Sequence, residues 1–196
     1  VVDYKTGKKS FDYTNVLHGR GLQMLLYLFA LVRQGGHLLH GEPLPAGVLY
    51  FPARIERVSV RDRLAQAEIE KERRKQLRRS GVLLNSDPVL EAMEPCGGSP
   101  RFLPYALDKE GRKTGDLASF VQLAQLERFV FRTVAALGDE LADGRIDPDP
   151  CIRDAKDSAC AFCPYSEVCA GHEQPRWLKK ITAEEFWQTL ERREHG

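Results

Sequence analysis

The first seven residues, Val-Val-Asp-Tyr-Lys-Thr-Gly, place a carboxylate and an amine at a spacing that can do chemistry. Two β-branched residues before Asp3 predict the end of a buried strand. Side chains two positions apart in a strand project to the same face, so we expect Asp3 and Lys5 to lie side by side. A carboxylate can hold a hard divalent cation, and a neighbouring lysine can orient a water and offset phosphate charge. The pair is either half of a metal-dependent phosphodiesterase site or a solvated ion pair at a strand end.

A second polar pair lies in the apolar stretch of residues 21–31. The stretch is too short to span a membrane and predicts a buried helix that is apolar nearly all round. Gln23 and Tyr27 are four positions apart, so they share one face of that helix. Such a pair needs hydrogen-bond partners. It forms either a polar seam satisfied within the core or part of a site with Asp3 and Lys5.

Three cysteines near the C-terminus, Cys160, Cys163 and Cys169, have the spacing C-x2-C-x5-C. Thiolates at this spacing can share one zinc or iron–sulfur centre, and a closed site needs a fourth ligand. Cys151 is the nearest candidate, followed by His172. The alternative is three reduced cysteines that pack as small apolar groups.

Composition limits the class of protein. The 196 residues suit one domain of ordinary size. Lys and Arg number 29 against 28 Asp and Glu, so any nucleic-acid surface must be local, because non-specific binding usually shows as a basic excess. Five unevenly clustered cysteines do not resemble a secreted disulfide framework, and no signal peptide or membrane run is visible. We expect a cytoplasmic protein, and the opening in mid-strand suggests a segment of a larger one.

The first half of the chain supplies a strand and a charged helix around these motifs. Residues 47–51 predict a strand, and Pro52 argues that it lies at a sheet edge or bulges. Residues 61–79 predict a charged helix, for which we favour a solvated face over a phosphate-binding patch. His37 and His40 lie in a Gly- and Pro-rich loop and are expected to face solvent rather than bind metal.

Two further helices are predicted towards the C-terminus. Ser119 is expected to cap a long amphipathic helix that ends near Ala142. Thr182 and Glu185 form a capping box, so another helix should begin at Ala183. The aromatic residues expected to dock that last helix are Trp177, Phe186 and Trp187.

The order strand, D-x-K, loop and Q-x-x-x-Y helix resembles the nuclease domain of the RecB-like branch of the PD-(D/E)XK superfamily. The resemblance implies an α/β fold, a restriction-endonuclease-like core in which a small mixed sheet is flanked by helices. By the same resemblance, Asp3 binds Mg²⁺ together with the Val2 carbonyl, and Lys5 is the catalytic lysine. Gln23 and Tyr27 help to bind DNA and complete the site. A further acidic ligand would lie upstream of Val1.

The stretch Ala159–Tyr165 sharpens this comparison. It resembles the subset of these nucleases that carries an iron–sulfur staple, and within it the AddB-like family of bacterial helicase–nuclease proteins. The resemblance implies a 4Fe–4S cluster in the full-length protein on Cys160, Cys163 and Cys169, with a first cysteine upstream of the nuclease core. Cys151 is then either a bystander or a substitute ligand, and we favour the bystander. This chain alone should hold no intact cluster and be a poor nuclease.

The resemblance implies a Mg-dependent DNA exonuclease domain in double-strand-break repair and recombination. Its partners would be DNA and an AddA-like helicase–nuclease subunit, with no membrane involved. Residues 1–150 would form the nuclease core, and residues 151–196 the cysteine segment with the C-terminal helix. The alternatives are a non-catalytic DNA-binding or scaffolding module with a structural iron–sulfur or zinc site, and a CRISPR-associated nuclease of the same branch.

Overall fold

The structure is a computed structural model that describes residues 1–7, 9–39, 41–57, 65–95, 97–154, 156–169 and 175–195. The chain folds into two compact units. Unit 1 comprises Val1–Phe11 and Leu22–Glu127, and unit 2 comprises Asp12–Gly21 and Arg128–Gly196. These units are defined by packing. The predicted functional boundary at residue 150, between the nuclease core and the cysteine segment, stays a prediction.

The described chain contains helices and short strands in mixed order. In order they are β1 (Val2–Lys5), α1 (Tyr13–Leu17), α2 (Gln23–Gln34), α3 (Gly36–Leu39), β2 (Gly47–Pro52), α4 (Gln66–Leu77), β3 (Ser80–Leu84), α5 (Asp87–Met93), β4 (Tyr105–Leu107), β5 (Lys113–Gly115), β6 (Leu117–Ala118), α6 (Phe120–Ala142), β7 (Cys151–Ile152), β8 (Arg176–Trp177) and α7 (Ala183–His195). No helix in the described ranges is long and apolar enough to cross a membrane.

The main sheet lies in unit 1 and has the strand order β1-β2-β3-β6. β1 runs parallel to β2, β2 antiparallel to β3, and β3 parallel to β6. The sheet is therefore small and mixed, as predicted. In the described part of the chain β1 is an edge strand, so one side of its backbone faces away from the sheet.

The core of unit 1 is built on β2, whose first four residues are buried. The side chains packed together on one face of the sheet are Leu49, Leu83, Leu90, Leu103 and Tyr105. The expectation that Pro52 marks an edge strand is wrong, because β2 lies between β1 and β3. Pro52 is tolerated because it is the last residue of the strand, where its missing N–H costs little.

The charged helix is shorter than predicted. α4 spans Gln66–Leu77 and has no buried residue, and its Glu70 and Arg74 side chains lie 3.8 Å apart. The helix is thus solvent-exposed and carries an i,i+4 ion pair, and the choice of a solvated face over a phosphate-binding patch stays a prediction. Residues 61–64 of the predicted helix lie outside the described ranges. Just beyond α4, the sequence reasoning missed β3.

In unit 2 the C-terminal helix docks as its caps predict. The Thr182 hydroxyl accepts a hydrogen bond from the Glu185 N–H, while the Glu185 carboxylate accepts one from the Thr182 N–H. Phe186 is fully buried, and its ring lies 5.2 Å from that of Tyr13. The docking role expected for Trp177 is wrong, because this side chain is 68% exposed on the short strand β8.

Candidate active site

Asp3 and Lys5 lie side by side on β1, as the two-residue period of a strand dictates. The Lys5 ammonium is 2.6 Å from the Asp3 carboxylate. The Asp3 side chain is 29% exposed and that of Lys5 is 37% exposed, so both are reachable from solvent. The hydrogen bond to Asp3 raises the pKa of Lys5, which keeps the lysine charged at neutral pH. The resting state is thus a solvent-accessible ion pair.

Backbone oxygens flank Asp3 on the side of β1 that pairs with no strand in the described residues. The N–H groups of Leu49 and Ala53 donate to the carbonyls of Val1 and Lys5, at 3.0 and 2.8 Å. Successive carbonyls of a strand point in opposite directions, so the Val2 and Tyr4 carbonyls point away from β2. The Val2 oxygen, predicted as a metal ligand, therefore faces the open edge, and the Tyr4 oxygen faces the same edge.

Gln23 and Tyr27 occupy one exposed face of α2. The Gln23 amide donates to the Tyr27 hydroxyl at 2.9 Å, and Tyr27 is 52% exposed. The side chains that α2 buries are Met24, Leu25, Leu28 and Phe29. The helix is thus buried on one side rather than, as predicted, nearly all round. A polar seam inside the core is excluded for this pair, because both side chains face outwards.

Over residues 1–170 the chain matches the sequence profile of the PD-(D/E)XK nuclease superfamily. The chain belongs to the PD-(D/E)XK nuclease superfamily. The resemblance and the fold predicted from the motifs are therefore confirmed. Members of this superfamily generally use divalent metal ions.

Several relatives are named as subunits of an ATP-dependent helicase/deoxyribonuclease. The protein of Moorella thermoacetica is 34% identical over 173 residues, covering 87% of this chain and 15% of the relative. That of Oceanobacillus iheyensis is 31% identical over 176 residues, covering 86% and 15%. That of Symbiobacterium thermophilum is 32% identical over 197 residues, covering 97% and 17%. The chain thus spans less than a fifth of the length of these relatives.

The donor set on β1 suits a hard divalent cation in type. A carboxylate oxygen and a backbone carbonyl oxygen are ligands that Mg²⁺ prefers, and Mg²⁺ usually takes few protein ligands and fills its shell with water and substrate phosphate. No group of three acidic, histidine or cysteine side chains suited to a metal ion occurs in the described part of this PD-(D/E)XK domain. Asp3 and Val2 can therefore supply two ligands of such a site. The other ligands would be water, substrate phosphate or residues outside the described ranges.

A small cleft adjoins the Lys5 side of the PD-(D/E)XK site. It is lined by Lys5, Thr6, Gly7, Pro52, Arg54, Glu56 and Gln76. The Gln76 amide oxygen accepts a hydrogen bond from the Glu56 N–H at 2.8 Å, which ties α4 to the wall of the cleft. The exposed Arg54 and Lys5 bring two positive charges to this cleft, and Glu56 brings one negative charge.

Tyr50 of β2 is a site neighbour that the sequence reasoning missed. It stands opposite Asp3 in the β1–β2 register and is 7% exposed. Burial raises the pKa of the Tyr50 phenol, so the hydroxyl keeps its proton at neutral pH. The sequence offers only a weak signal for it: a tyrosine among apolar residues in a predicted strand.

The cysteine segment of this PD-(D/E)XK protein lies in unit 2, in a series of turns. Cys160, Cys163 and Cys169 are half-buried and form no disulfide among the described residues, and the Cys163 N–H donates to the Cys160 carbonyl at 3.2 Å. Cys151 lies on β7 and forms no disulfide with a described residue either. Thiolates suit zinc or an iron–sulfur cluster, but no three of these side chains are gathered around one point among the residues described. His172 and His40 lie outside the described residues, and His37 is exposed.

Arginine side chains brace the same segment against α1 within unit 2. Arg153 donates to the carboxylate of Asp12 at 2.7 Å and to the side-chain oxygen of Asn15 at 3.1 Å. Arg20 donates to Asp157 at 2.7 Å. The residues after Cys151 are thus held by charge-assisted hydrogen bonds.

Proposed function

We propose that this chain is the nuclease domain of a helicase–nuclease subunit, which hydrolyses DNA phosphodiester bonds with Mg²⁺. The observation that carries the proposal is the Asp3–Lys5 pair on the open edge of a PD-(D/E)XK sheet. The relatives named as helicase/deoxyribonuclease subunits support it. Within this proposal residues 1–150 form the nuclease core and residues 151–196 the cysteine segment.

Asp3 and the Val2 carbonyl would hold the cation, together with an acidic residue outside this chain. When bound, a divalent cation supplies Lewis-acid polarisation of the phosphate and lowers the pKa of a coordinated water. The Lys5 ammonium stands next to Asp3 and donates hydrogen bonds, so it positions the attacking water and offsets the negative charge that develops at phosphorus. The exposure of both side chains allows a DNA strand to reach them.

Gln23 and Tyr27 would bind the DNA beside this pair. Their side chains already hydrogen-bond to each other on an exposed helix face, so they are pre-oriented and accessible. An amide and a phenol can both donate to phosphate oxygens without carrying charge. Their role is therefore to place the strand rather than to replace a metal-bound carboxylate.

The proposed biological setting is exonucleolytic DNA processing in the cytoplasm during double-strand-break repair and recombination, alongside an AddA-like helicase partner. The curated relatives carry helicase and deoxyribonuclease in one name, which supports this pairing. A non-catalytic scaffold would not need a solvent-accessible carboxylate–lysine pair on the sheet edge.

The decisive experiment uses the full-length protein assembled with its helicase partner. Degradation of linear double-stranded DNA is measured with ATP and Mg²⁺ for the wild type and for Asp3→Ala. We expect the cleavage that depends on this chain to disappear in Asp3→Ala, while ATP-driven unwinding and any cleavage by the partner subunit continue. Full DNA degradation by the variant would exclude Asp3 as the metal ligand and remove the main support for a nuclease role of this chain.

We further propose that Cys160, Cys163 and Cys169 hold a 4Fe–4S cluster in the full-length protein, with an upstream cysteine as the fourth ligand. The soft thiolate donors at C-x2-C-x5-C spacing support it. Iron and zinc analysis of the 196-residue chain and of the full-length protein, both prepared anaerobically, tests the ligand set. Iron in the full-length protein alone is expected. About four iron atoms per chain in the shorter protein would make Cys151 the fourth ligand.

A further inference from the structure

Tyr50 is the residue of β2 that pairs in register with Asp3, the proposed metal ligand on β1. Asp3 and Tyr50 are direct partners in the parallel ladder, and paired residues of adjacent strands project to the same face of a sheet. The next pair on that face is Lys5 with Pro52. Pro52 has no polar side-chain group that could contact Lys5. Tyr50 therefore places its hydroxyl on the face that carries both charged groups.

The Tyr50 hydroxyl is influenced by charged groups as well as by apolar burial. The Asp3 carboxylate and the Lys5 ammonium both act on the phenol oxygen, although the tyrosine is 7% exposed. A phenol can donate one hydrogen bond and accept another. It can thus serve a carboxylate as a donor or an ammonium as an acceptor, which neither Val48 nor Pro52 on the same strand can do.

The resting ion pair creates a need for a second partner. Among the described residues, the ion-pair partner of Lys5 is the carboxylate of Asp3, at 2.6 Å. If that carboxylate turns to a cation, Lys5 loses its anchor, and the freedom of its long flexible side chain must be restricted again. The Tyr50 ring is buried in the sheet and stays in place whichever way the carboxylate turns.

We propose that Tyr50 is a positioning residue of this site, whose hydroxyl accepts a hydrogen bond from Lys5 when Asp3 binds the metal ion. The proposal rests on the nuclease function proposed above. Tyr50 contributes through the lysine and does not touch the scissile phosphate. Removing its hydroxyl makes the Asp3–Lys5 pair harder to open and leaves Lys5 without a fixed position afterwards.

The test uses Tyr50→Phe, which deletes one oxygen atom, in the full-length protein with its helicase partner. Two quantities are measured: kcat and KM for DNA cleavage, and Mn²⁺ binding by electron paramagnetic resonance without nucleotide. The Mn²⁺ site is defined as the one that Asp3→Ala loses. We expect kcat to fall about tenfold, the size of one lost hydrogen bond, with KM for DNA unchanged. The Mn²⁺ dissociation constant should rise several-fold.

A second background separates positioning from support of the fold. In Lys5→Ala there is no lysine to hold, so adding Tyr50→Phe should leave the Mn²⁺ dissociation constant unchanged. An equal rise in both backgrounds would show that the hydroxyl supports the sheet instead, and would overturn the proposal. Tyr105→Phe is the matched control, because Tyr105 is equally buried but belongs to the cluster around Leu49 on the other face.

The remaining outcomes are equally decisive. Losses in Tyr105→Phe that match those in Tyr50→Phe would overturn the positioning role, as would Tyr50→Phe behaving like the wild type. In both cases an inactive Asp3→Ala leaves the nuclease function standing. Wild-type cleavage by Asp3→Ala would instead remove the proposed function, and with it the role of Tyr50.

Discussion

The Asp3–Lys5 site of unit 1 and the cysteine segment of unit 2 both have a spacing typical of a functional site, yet only the first has its side chains in contact in the described residues. Asp3 and Lys5 are brought within 2.6 Å of each other on a strand. The cysteines of the C-x2-C-x5-C motif lie in a run of turns, and the described residues bring no three of them together as metal ligands. The described chain thus brings Asp3 and Lys5 together without a ligand, whereas it does not bring the three cysteines together.

The difference lies in what holds the backbone. β1 is fixed by ladder hydrogen bonds to β2, so the two-residue period alone aligns Asp3 and Lys5. The cysteine turns have few such bonds, and the segment is braced instead through Arg153 and Asp12. A strand site is thus pre-organised before a ligand arrives, whereas donors in turns need the ligand, or another piece of chain, to converge.

The largest effect that would sharpen this contrast is the loss of Lys5. Lys5→Ala in the full-length protein should lower DNA cleavage by roughly 100-fold or more, because the ammonium group beside the proposed metal ligand Asp3 is gone while the sheet is intact. Cleavage rates under saturating Mg²⁺ and ATP measure this. Lys9→Ala, an exposed lysine beyond the strand, is the matched control and should cleave normally. Equal activities of the two variants would deny Lys5 a catalytic role.

A second prediction tests whether the sheet arranges the site. Gly47 begins β2 with a φ of +124°, and a Cβ there would overlap the Val82 carbonyl oxygen on β3. Gly47→Ala should therefore lower the free energy of unfolding of unit 1 by about 3 kcal/mol. Urea unfolding of the 196-residue chain, followed by circular dichroism, provides the measurement.

The control for Gly47 lies in the long helix α6. A Cβ at Gly138 would meet no atom within 4 Å, so Gly138→Ala should stabilise the chain by about 0.5–1 kcal/mol. If both alanine variants unfold like the wild type, the close approach of β2 and β3 does not limit the stability of the sheet.

A smaller effect is expected at Gln23. Gln23→Ala should reduce cleavage by about tenfold, less than Asp3→Ala does, because a neutral amide positions DNA or water but cannot replace a metal-bound carboxylate. Steady-state kinetics with a single-stranded substrate of fixed length would resolve the loss. Complete inactivation of a folded Gln23→Ala protein would instead give the amide a direct part in the reaction.

The smallest effect tests what holds the cysteine segment. The Asp12 carboxyl is partly buried, which raises its pKa, but hydrogen bonds from Arg153 and the Asn15 N–H outweigh this and leave the pKa below its usual value. A depressed pKa contributes stability at pH values above the unfolded-state pKa of about 3.9, and this stability is lost as the pH falls through the folded-state pKa. Asp12→Asn keeps the helix cap and removes only the charge.

The measurement is urea unfolding of the wild type and Asp12→Asn at pH 7, 5 and 3. We expect the wild type to be more stable by about 1 kcal/mol at pH 7 and at pH 5, and this advantage to shrink at pH 3. An advantage that is the same at all three values would mean that the Asp12 charge does not brace unit 2.

Features that depend on residues close in the sequence could be predicted from it. Ser119 accepts from the Gln122 N–H at the start of α6, and Thr182 accepts likewise from the Glu185 N–H at the start of α7, because a cap reaches only three residues along the chain. The side-by-side placement of Asp3 and Lys5 is of the same kind, since one strand decides it. So is the family, whose motifs are short and local.

Tertiary structure decided the features that depend on which elements become neighbours. Pro52 ended up in a central strand, Trp177 faced solvent, and Gln23 and Tyr27 turned outwards, because sheet order and helix packing are set by contacts between distant segments. The register that places Tyr50 opposite Asp3 joins two segments far apart in the chain, and no local pattern encodes it. The sequence alone therefore determined the chemical groups at the edge of the sheet, and the β1–β2 ladder decided what stands beside them.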